Sequence, residues 1–391
     1  MMKQDIPVRK FECTNCKHSD YRMSAIEVGE IAGRCPRCNG EMKVVGDETP
    51  KWLSELLTQT SKQFEIDDFV AAQEKAEFEA TARDSKRSFK ALSNALGRRG
   101  YIPAMRGFGG SLRIIVLKHP GLKPSRVWIN VLLLIATFLT TFLAGYFFLQ
   151  FSGGIASALA FSVSIMLLLG AHELGHVIAA MENGVNVSMP YFIPAPSTLG
   201  TFGAVINVKE PIPSRDALVE LGAAGPLVGF ALAIPLTFIG LLRSTPDPSG
   251  LSGLSLPFAP AAFVILQAGV FGYVPATMQI NPLAFAGWVA MVLTMFNLLP
   301  AGQLDGGHIT RAVMSGEKHY ALTRGLGFAL LMSGLFYLES PLWVWGFLIL
   351  FVFRSPHVGP LDDVSKLSSG GKKLALVSLV VFLLCIPVPL R

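Results

Sequence analysis

Long apolar runs separated by short polar loops fill the last two thirds of this chain. A helix that crosses a bilayer needs about 20 mostly apolar residues. Residues 127–150 meet that length without a charge, and residues 155–181 meet it apart from His172, Glu173 and His176. Residues 217–242 predict a third span, with Glu220 near its start, and residues 282–300 a fourth. A helical hairpin over 321–338 and 341–353 and a last span over 374–390 follow. The stretch 257–276, bracketed by Pro257, Pro260 and Pro275, reads as re-entrant or interfacial. The first third has another pattern. Ala82, Phe89, Leu92 and Leu96 recur at helical spacing within a polar stretch over 50–98, and Gly97 and Gly100 stop the helix. Residues 101–105 and 111–117 predict two short strands around Arg106–Gly110.

Composition sharpens the division. The chain is 51% hydrophobic and 15% charged, against about 25% charged in soluble domains. That excludes a purely soluble enzyme, and the hydrophobicity excludes a disordered chain. Residues 1–126 hold 22 of the 33 Lys and Arg and 16 of the 27 Asp and Glu, which is the whole net charge of +6. Ten basic residues and no acidic one lie between Lys86 and Arg126. The positive-inside rule then places the N-terminal third in the cytoplasm, at the cell membrane. His172 and His176 fall toward the cytoplasmic half. Seven spans put nearly every basic residue inside, whereas an eighth would carry Asp305 away from His172. The start lacks an apolar h-region, so the first span is expected to serve as the membrane signal. The basic residues before it are orientation signals at an anionic lipid surface, and no nucleic-acid partner is expected.

Cys13, Cys16, Cys35 and Cys38 form two CxxC pairs with 18 residues between them. Two such turns supply four sulfurs for a closed tetrahedral Zn²⁺ site. That makes residues 1–45 a zinc ribbon, stapled by metal because so short a segment builds no core alone, and able to present a surface to a protein partner. Residues 46–126 become an α+β module with a basic juxtamembrane linker. The expected architecture is a multi-pass α-helical membrane protein of about seven spans behind a small ribbon and α+β region.

Inside the second span stands His172-Glu173-Leu174-Gly175-His176, an HExxH sequence. Histidines four apart share one helical face and can hold one Zn²⁺. The Glu beside the first His can act as general base on metal-activated water. Ionisable groups in a bilayer are costly and usually functional, which disfavours a pair of core histidines. A catalytic zinc wants a third protein ligand and an open position. Asp305, Glu182, Glu220 and His308 are the candidates. Asp305 lies where Pro300 and the glycines after it break the fourth span. Glu182, six residues past His176, faces elsewhere, and Glu220 serves equally well at a helix start.

These residues resemble the site-2 proteases, the intramembrane zinc metalloproteases. The resemblance is carried by HELGH at 172–176, by Asn297-Leu-Leu-Pro300 followed by Leu304-Asp305-Gly306, by Ala224-Gly225-Pro226, and by Gly200-Thr-Phe202-Gly203. It runs over about residues 127–315, which defines the protease core and leaves 316–391 as additional C-terminal helices. It implies His172, His176 and Asp305 as ligands of a catalytic zinc, Glu173 as base, and Asn297 near the reacting carbonyl. It also implies cleavage of transmembrane proteins in regulated intramembrane proteolysis. Residues 243–281 are too short to hold the PDZ domain of many bacterial members, and with GTFG and the ribbon the chain looks more like the archaeal and plastid branch. Residues 200–208 alternate and are rich in β-formers. They predict a strand whose open edge, with Gly200, Phe202 and Gly203, holds an unwound substrate by β-augmentation; a plain hairpin is the alternative. Two competing functions are a CAAX-processing type of membrane protease, whose third ligand is a downstream Glu lacking here, and a transporter or receptor, which leaves Glu173 unexplained.

Overall fold

The computed structural model describes all residues except 1–6, 122–123, 150, 152, 248–253, 257, 276, 337–341, 353 and 391. The chain divides into two compact units, Met1–Leu122 with Pro360–Lys366, and Lys123–Gly359 with Leu367–Arg391.

The first unit is sheet-rich. Its elements are β1 (Val8–Cys13), β2 (Ser19–Met23), β3 (Ile31–Arg34), β4 (Glu41–Gly46), α1 (Lys51–Ser61), β5 (Glu65–Ala72), β6 (Lys75–Thr81), α2 (Ser85–Gly97), β7 (Tyr101–Phe108) and β8 (Ser111–Lys118). All eight strands form one sheet in the order β3-β4-β1-β2-β5-β6-β8-β7. The sheet runs from the cysteine turns into the α+β region without a break, since Tyr21 pairs with Ala71 and Arg22 with Val70. Leu53, Leu56, Phe69, Phe78, Leu92 and Leu96 build the core beneath it. The β5–β6 hairpin falls in the stretch expected to be polar with helical spacing. Its two turn residues, Gln73 and Glu74, both hold positive φ, +50° and +61°. That geometry matches the right-handed twist of a tight hairpin. Pro360–Lys366 completes this unit. Asp362 bridges Met105 in parallel, and Arg106 Nη1 donates to the carbonyls of Pro360 and Leu361 at 2.9 and 2.8 Å.

The second unit is helical. In chain order it contains α3 (Val127–Leu143, continuing through a π turn over Ala144–Phe148), α4 (Gly154–Glu182), β9 (Tyr191–Pro194), β10 (Thr201–Val205), α5 (Arg215–Leu241), α6 (Ala261–Phe271), α7 (Pro282–Asn297), α8 (Asp305–Val313), α9 (Gly316–Phe336), α10 (Leu342–Phe347, continuing through a π turn over Leu348–Val352) and α11 (Ser369–Cys385). Among the described residues three helices are long and apolar enough to cross a membrane: Val127–Phe148, α4 and α5. The 11 residues of α6 rise about 16 Å, half of a hydrocarbon core about 30 Å thick. The turn of the expected 321–353 hairpin, 337–341, lies outside the described residues.

α4, α5 and α7 pack around one apolar core with Phe161, Ile165, Ala233, Phe285 and Met291. Polar side chains tie α3 to it. Thr141 and Ser162 hydroxyls pair at 2.7 Å, and Asn130 donates to the carbonyls of Met189 and Pro190 at 2.8 and 2.9 Å. Bonds of this kind satisfy groups that would be expensive in hydrocarbon.

Candidate functional site

α4 carries His172 and His176 four residues apart, so both rings leave the same face. Their Nε2 atoms stand 3.1 Å from each other. Each is 3.4 Å from Asp305 Oδ2. Donors bound to one tetrahedral ion at 2.0–2.1 Å stand about 3.3–3.4 Å apart, so this triangle fits a zinc-sized ion. Among the described residues no other His or carboxylate joins the group. His176 Nδ1 donates to the Leu221 carbonyl at 2.7 Å. That bond keeps the proton on Nδ1 and leaves the Nε2 lone pair for a metal.

Asp305 is the first residue of α8. Its position depends on the two glycines after it. A Cβ on Gly306 would overlap the Leu298 carbonyl, and one on Gly307 would sit 2.5 Å from the Gly302 oxygen. α5 supplies the third wall through a row of glycines. A Cβ on Gly222 would lie 2.6 Å from the Asp305 carbonyl oxygen. One on Gly225 would strike the His176 ring, while one on Gly229 would make a tight contact with His172 at 3.3 Å that a shift of a few tenths of an ångström relieves. The Ala224-Gly225-Pro226 sequence thus lets α5 approach α4 at the His176 ring itself.

Glu173 is buried beside His172 and faces the backbone N–H of Ile206. Asn297, the last residue of α7, places Nδ2 3.3 Å from His172 Nε2. His172, Glu173, His176, Asn297 and Asp305 open onto one cavity of about 290 Å³. Its apolar lining includes Ala204, Val205, Ile206, Val208 and Leu221. Such a chamber holds two potential metal-binding nitrogens, two carboxylates and an amide out of the apolar phase, which is the equipment for adding water to a carbonyl.

Among the other candidate ligands, Glu182 is exposed at the end of α4. Glu220 accepts a hydrogen bond from Asn183 Nδ2 at 2.7 Å, a structural link between α4 and α5. His308 lines the cavity, but its Nδ1 is engaged by His357 Nε2 at 2.7 Å. Burial holds His308 down to about 4 and His357 down to about 3. His357 carried no signal in the sequence, since it stands alone in a loop 49 residues away.

β10 pairs only with β9 among the described strands, so its other edge is open. Gly200 has φ +77° and its carbonyl accepts from Thr140 Oγ1 at 2.6 Å, which pins the strand to α3. Phe202 is 72% exposed. Gly203, φ +97°, sits at a bulge between Thr201 and Ala204. These three residues do not line the cavity; of the residues that follow them, Ala204, Val205, Ile206 and Val208 do.

In the first unit the four cysteines converge. Cys13 and Cys38 sulfurs are 3.4 Å apart, and those of Cys16 and Cys35 are 3.6 Å apart. These distances far exceed a disulfide bond of about 2.05 Å and approach the ~3.8 Å edge of a Zn–S tetrahedron. Lys17 and Asn39, each just after a second cysteine, share a left-handed φ of +59° and +58°. The backbone N–H of Cys16 lowers the Cys13 thiol to about 6.

Residues 160–336 match Peptidase family M50. The matched segment, a little under half of the chain, resembles the site-2 protease class, and HELGH, Asn297 and Asp305 lie within it. The chain is also similar to proteins named as chloroplastic zinc metalloproteases. It is 35% identical over 237 residues to the probable zinc metalloprotease EGY1, chloroplastic, of Arabidopsis thaliana, covering 58% of this chain and 42% of that protein. It is 33% identical over 231 residues to EGY2 of the same plant, covering 57% and 40%. Against EGY3 of Oryza sativa subsp. japonica the identity is 25% over 281 residues, covering 65% and 47%. The chain thus spans about two fifths to a half of the length of these relatives. No solved structure matches it.

Proposed function

We propose that this chain is an intramembrane zinc endopeptidase that hydrolyses peptide bonds in or near transmembrane segments of other membrane proteins. The observation that carries this is the donor triangle, 3.1, 3.4 and 3.4 Å on a side, with a carboxylate and an amide beside it in one cavity. A zinc ion held by His172, His176 and Asp305 would supply a Lewis acid and lower the pKa of water toward about 7. Glu173 accepts a proton from the attacking water and returns it to the leaving nitrogen. Asn297 Nδ2 donates to the oxygen of the scissile carbonyl as charge develops there. The apolar walls keep the lipid and bulk water from both. The open edge of β10 leads to this cavity and suits an unwound substrate held by β-augmentation.

The same proposal includes a structural zinc on Cys13, Cys16, Cys35 and Cys38, a ribbon surface available to a protein partner, and a cytoplasmic N-terminal region. Seven spans follow from the charge distribution, with α6 too short to cross. A CAAX-type protease is disfavoured because the third donor beside the histidines is Asp305, and a transporter is disfavoured because it gives Glu173 no task. Comparative membrane proteomics of cells carrying wild type or Glu173→Gln tests the function. A single-pass membrane protein should accumulate uncut with Glu173→Gln; identical membrane proteomes would refute the assignment.

A further inference from the structure

Three residues beyond Asp305, His308 faces the cavity that also holds Glu173 and Asn297. Behind it, outside that cavity, stands His357, its ring nearly perpendicular at 89° and 4.8 Å away between centroids. The two rings meet through His308 Nδ1 and His357 Nε2 at 2.7 Å. The other nitrogen of His357, Nδ1, is 3.0 Å from the backbone N of Gly359.

These contacts determine where the protons are. A backbone N–H can only donate, so His357 Nδ1 is an acceptor. A neutral imidazole with Nδ1 unprotonated carries its proton on Nε2. That proton faces His308 Nδ1, which therefore accepts, and the one proton of neutral His308 sits on Nε2. His357 is not among the residues that line the cavity, so with Nδ1 taken by His357 the Nε2–H edge is the one available to a group in the cavity. An Nε2 that carries hydrogen has no lone pair for a metal. His308 is thereby a donor and not a fourth member of the ligand triangle. Its backbone is fixed as well, because its N–H donates to Leu304 at 2.9 Å inside the first turn of α8.

We propose that His308 is a catalytic residue whose Nε2–H donates to the scissile carbonyl oxygen as it becomes an oxyanion, and that His357 is a positioning residue that holds His308 in this donor tautomer. The proposal rests on the peptidase function. In the step, the water oxygen bonds to the carbonyl carbon, Glu173 takes the released proton, and the π pair of the carbonyl moves onto its oxygen. His308 keeps its proton throughout, so the acid–base balance stays with Glu173. Together with Asn297 it supplies two donors to the oxyanion.

The test uses the full chain purified in detergent. Histidine labelled with ¹⁵N in the ring gives the tautomers directly from long-range ¹H–¹⁵N spectra of wild type. Both His308 and His357 should carry hydrogen on Nε2; a protonated Nδ1 on His308 would overturn the proposal whatever the variants do. Hydrolysis is read with quenched fluorescent decapeptides of mixed sequence. Transition-state affinity is read with a phosphinic analogue of the decapeptide cut fastest. His308→Phe should retain its zinc and its KM within about threefold, lose about 10²–10³ in kcat, and lose affinity for the phosphinic peptide by a similar factor. His357→Phe should lose about tenfold in kcat, and His357→Gln, which keeps one acceptor and one donor, should restore most of it. Loss of zinc in His308→Phe, or unchanged kcat with unchanged phosphinic affinity, overturns the role of His308 alone. Absence of hydrolysis by wild type overturns the peptidase function and this role with it.

Discussion

Gly225 is the position where a single methyl group should separate the metal centre from the rest of the fold. A Cβ there would stand 2.5 and 2.6 Å from His176 Cδ2 and Cε1 and closer still to Nε2, the donor atom. Ordinary carbon contacts lie at about 3.5–4.0 Å, so the ring must withdraw by roughly 1 Å. It cannot rotate away freely, because its Nδ1 is held by the Leu221 carbonyl at 2.7 Å. Metal–ligand distances tolerate only about 0.2 Å, and a misplacement of about 1 Å costs on the order of 10² in rate. Gly229, one turn further along α5, is the control, since its Cβ would meet His172 no closer than 3.3 Å. Gly225→Ala should lose the zinc of the protease core and at least about 100-fold in kcat/KM while remaining folded by circular dichroism. Gly229→Ala should stay within about threefold of wild type on both counts. Metal analysis and peptide hydrolysis on the two purified variants read this out. Full zinc and full activity in Gly225→Ala would refute the packing of α5 against the ligand.

Other substitutions separate the remaining roles. Asp305→Ala should be inactive with zinc reduced by about one per chain, whereas Asn297→Ala should keep its zinc and slow by about 10²–10³ if its amide serves the oxyanion. Cys35→Ser should lower the zinc content from about two to about one per chain, and an unchanged content would remove the ribbon site. In whole cells, a cysteine at Tyr273 should be labelled from outside and one at Lys318 only after the membrane is opened; outside labelling of Lys318→Cys would refute seven spans.

The two histidines of the donor triangle were legible because their spacing is local. His172 and His176 reveal their shared face through a spacing of four, whereas Asp305 was singled out from Glu182, Glu220 and His308 by the resemblance of Leu304-Asp305-Gly306 to the site-2 proteases. The first three apolar helices were legible for the same reason, since length and hydropathy are properties of one segment. What failed to register is either long-range or out of phase. The β5–β6 hairpin has no Asn-Gly or Asp-Gly at its turn, because Gln73 and Glu74 take the left-handed φ values. A bulge between Ile66 and Asp68 also breaks its period of two. Pro360–Lys366 joins a sheet more than 250 residues away in sequence, and nothing near Arg106 announces it. α11 begins at Ser369 and not at 374, because Ser368 caps it at 3.0 Å from Gly371 N while Lys372 and Lys373 hide its start from an apolar count. His357 acquires its task only when the fold sets it behind His308.

Zinc content and peptide hydrolysis measured side by side on wild type and Glu173→Gln, both purified as the full chain, test the metallopeptidase most directly. Glu173 is placed to move a proton and makes no part of the donor triangle. Wild type should cleave the decapeptides, and Glu173→Gln should hold the same zinc with no detectable cleavage. Equal hydrolysis by the two proteins, or no hydrolysis by fully zinc-loaded wild type, would contradict it.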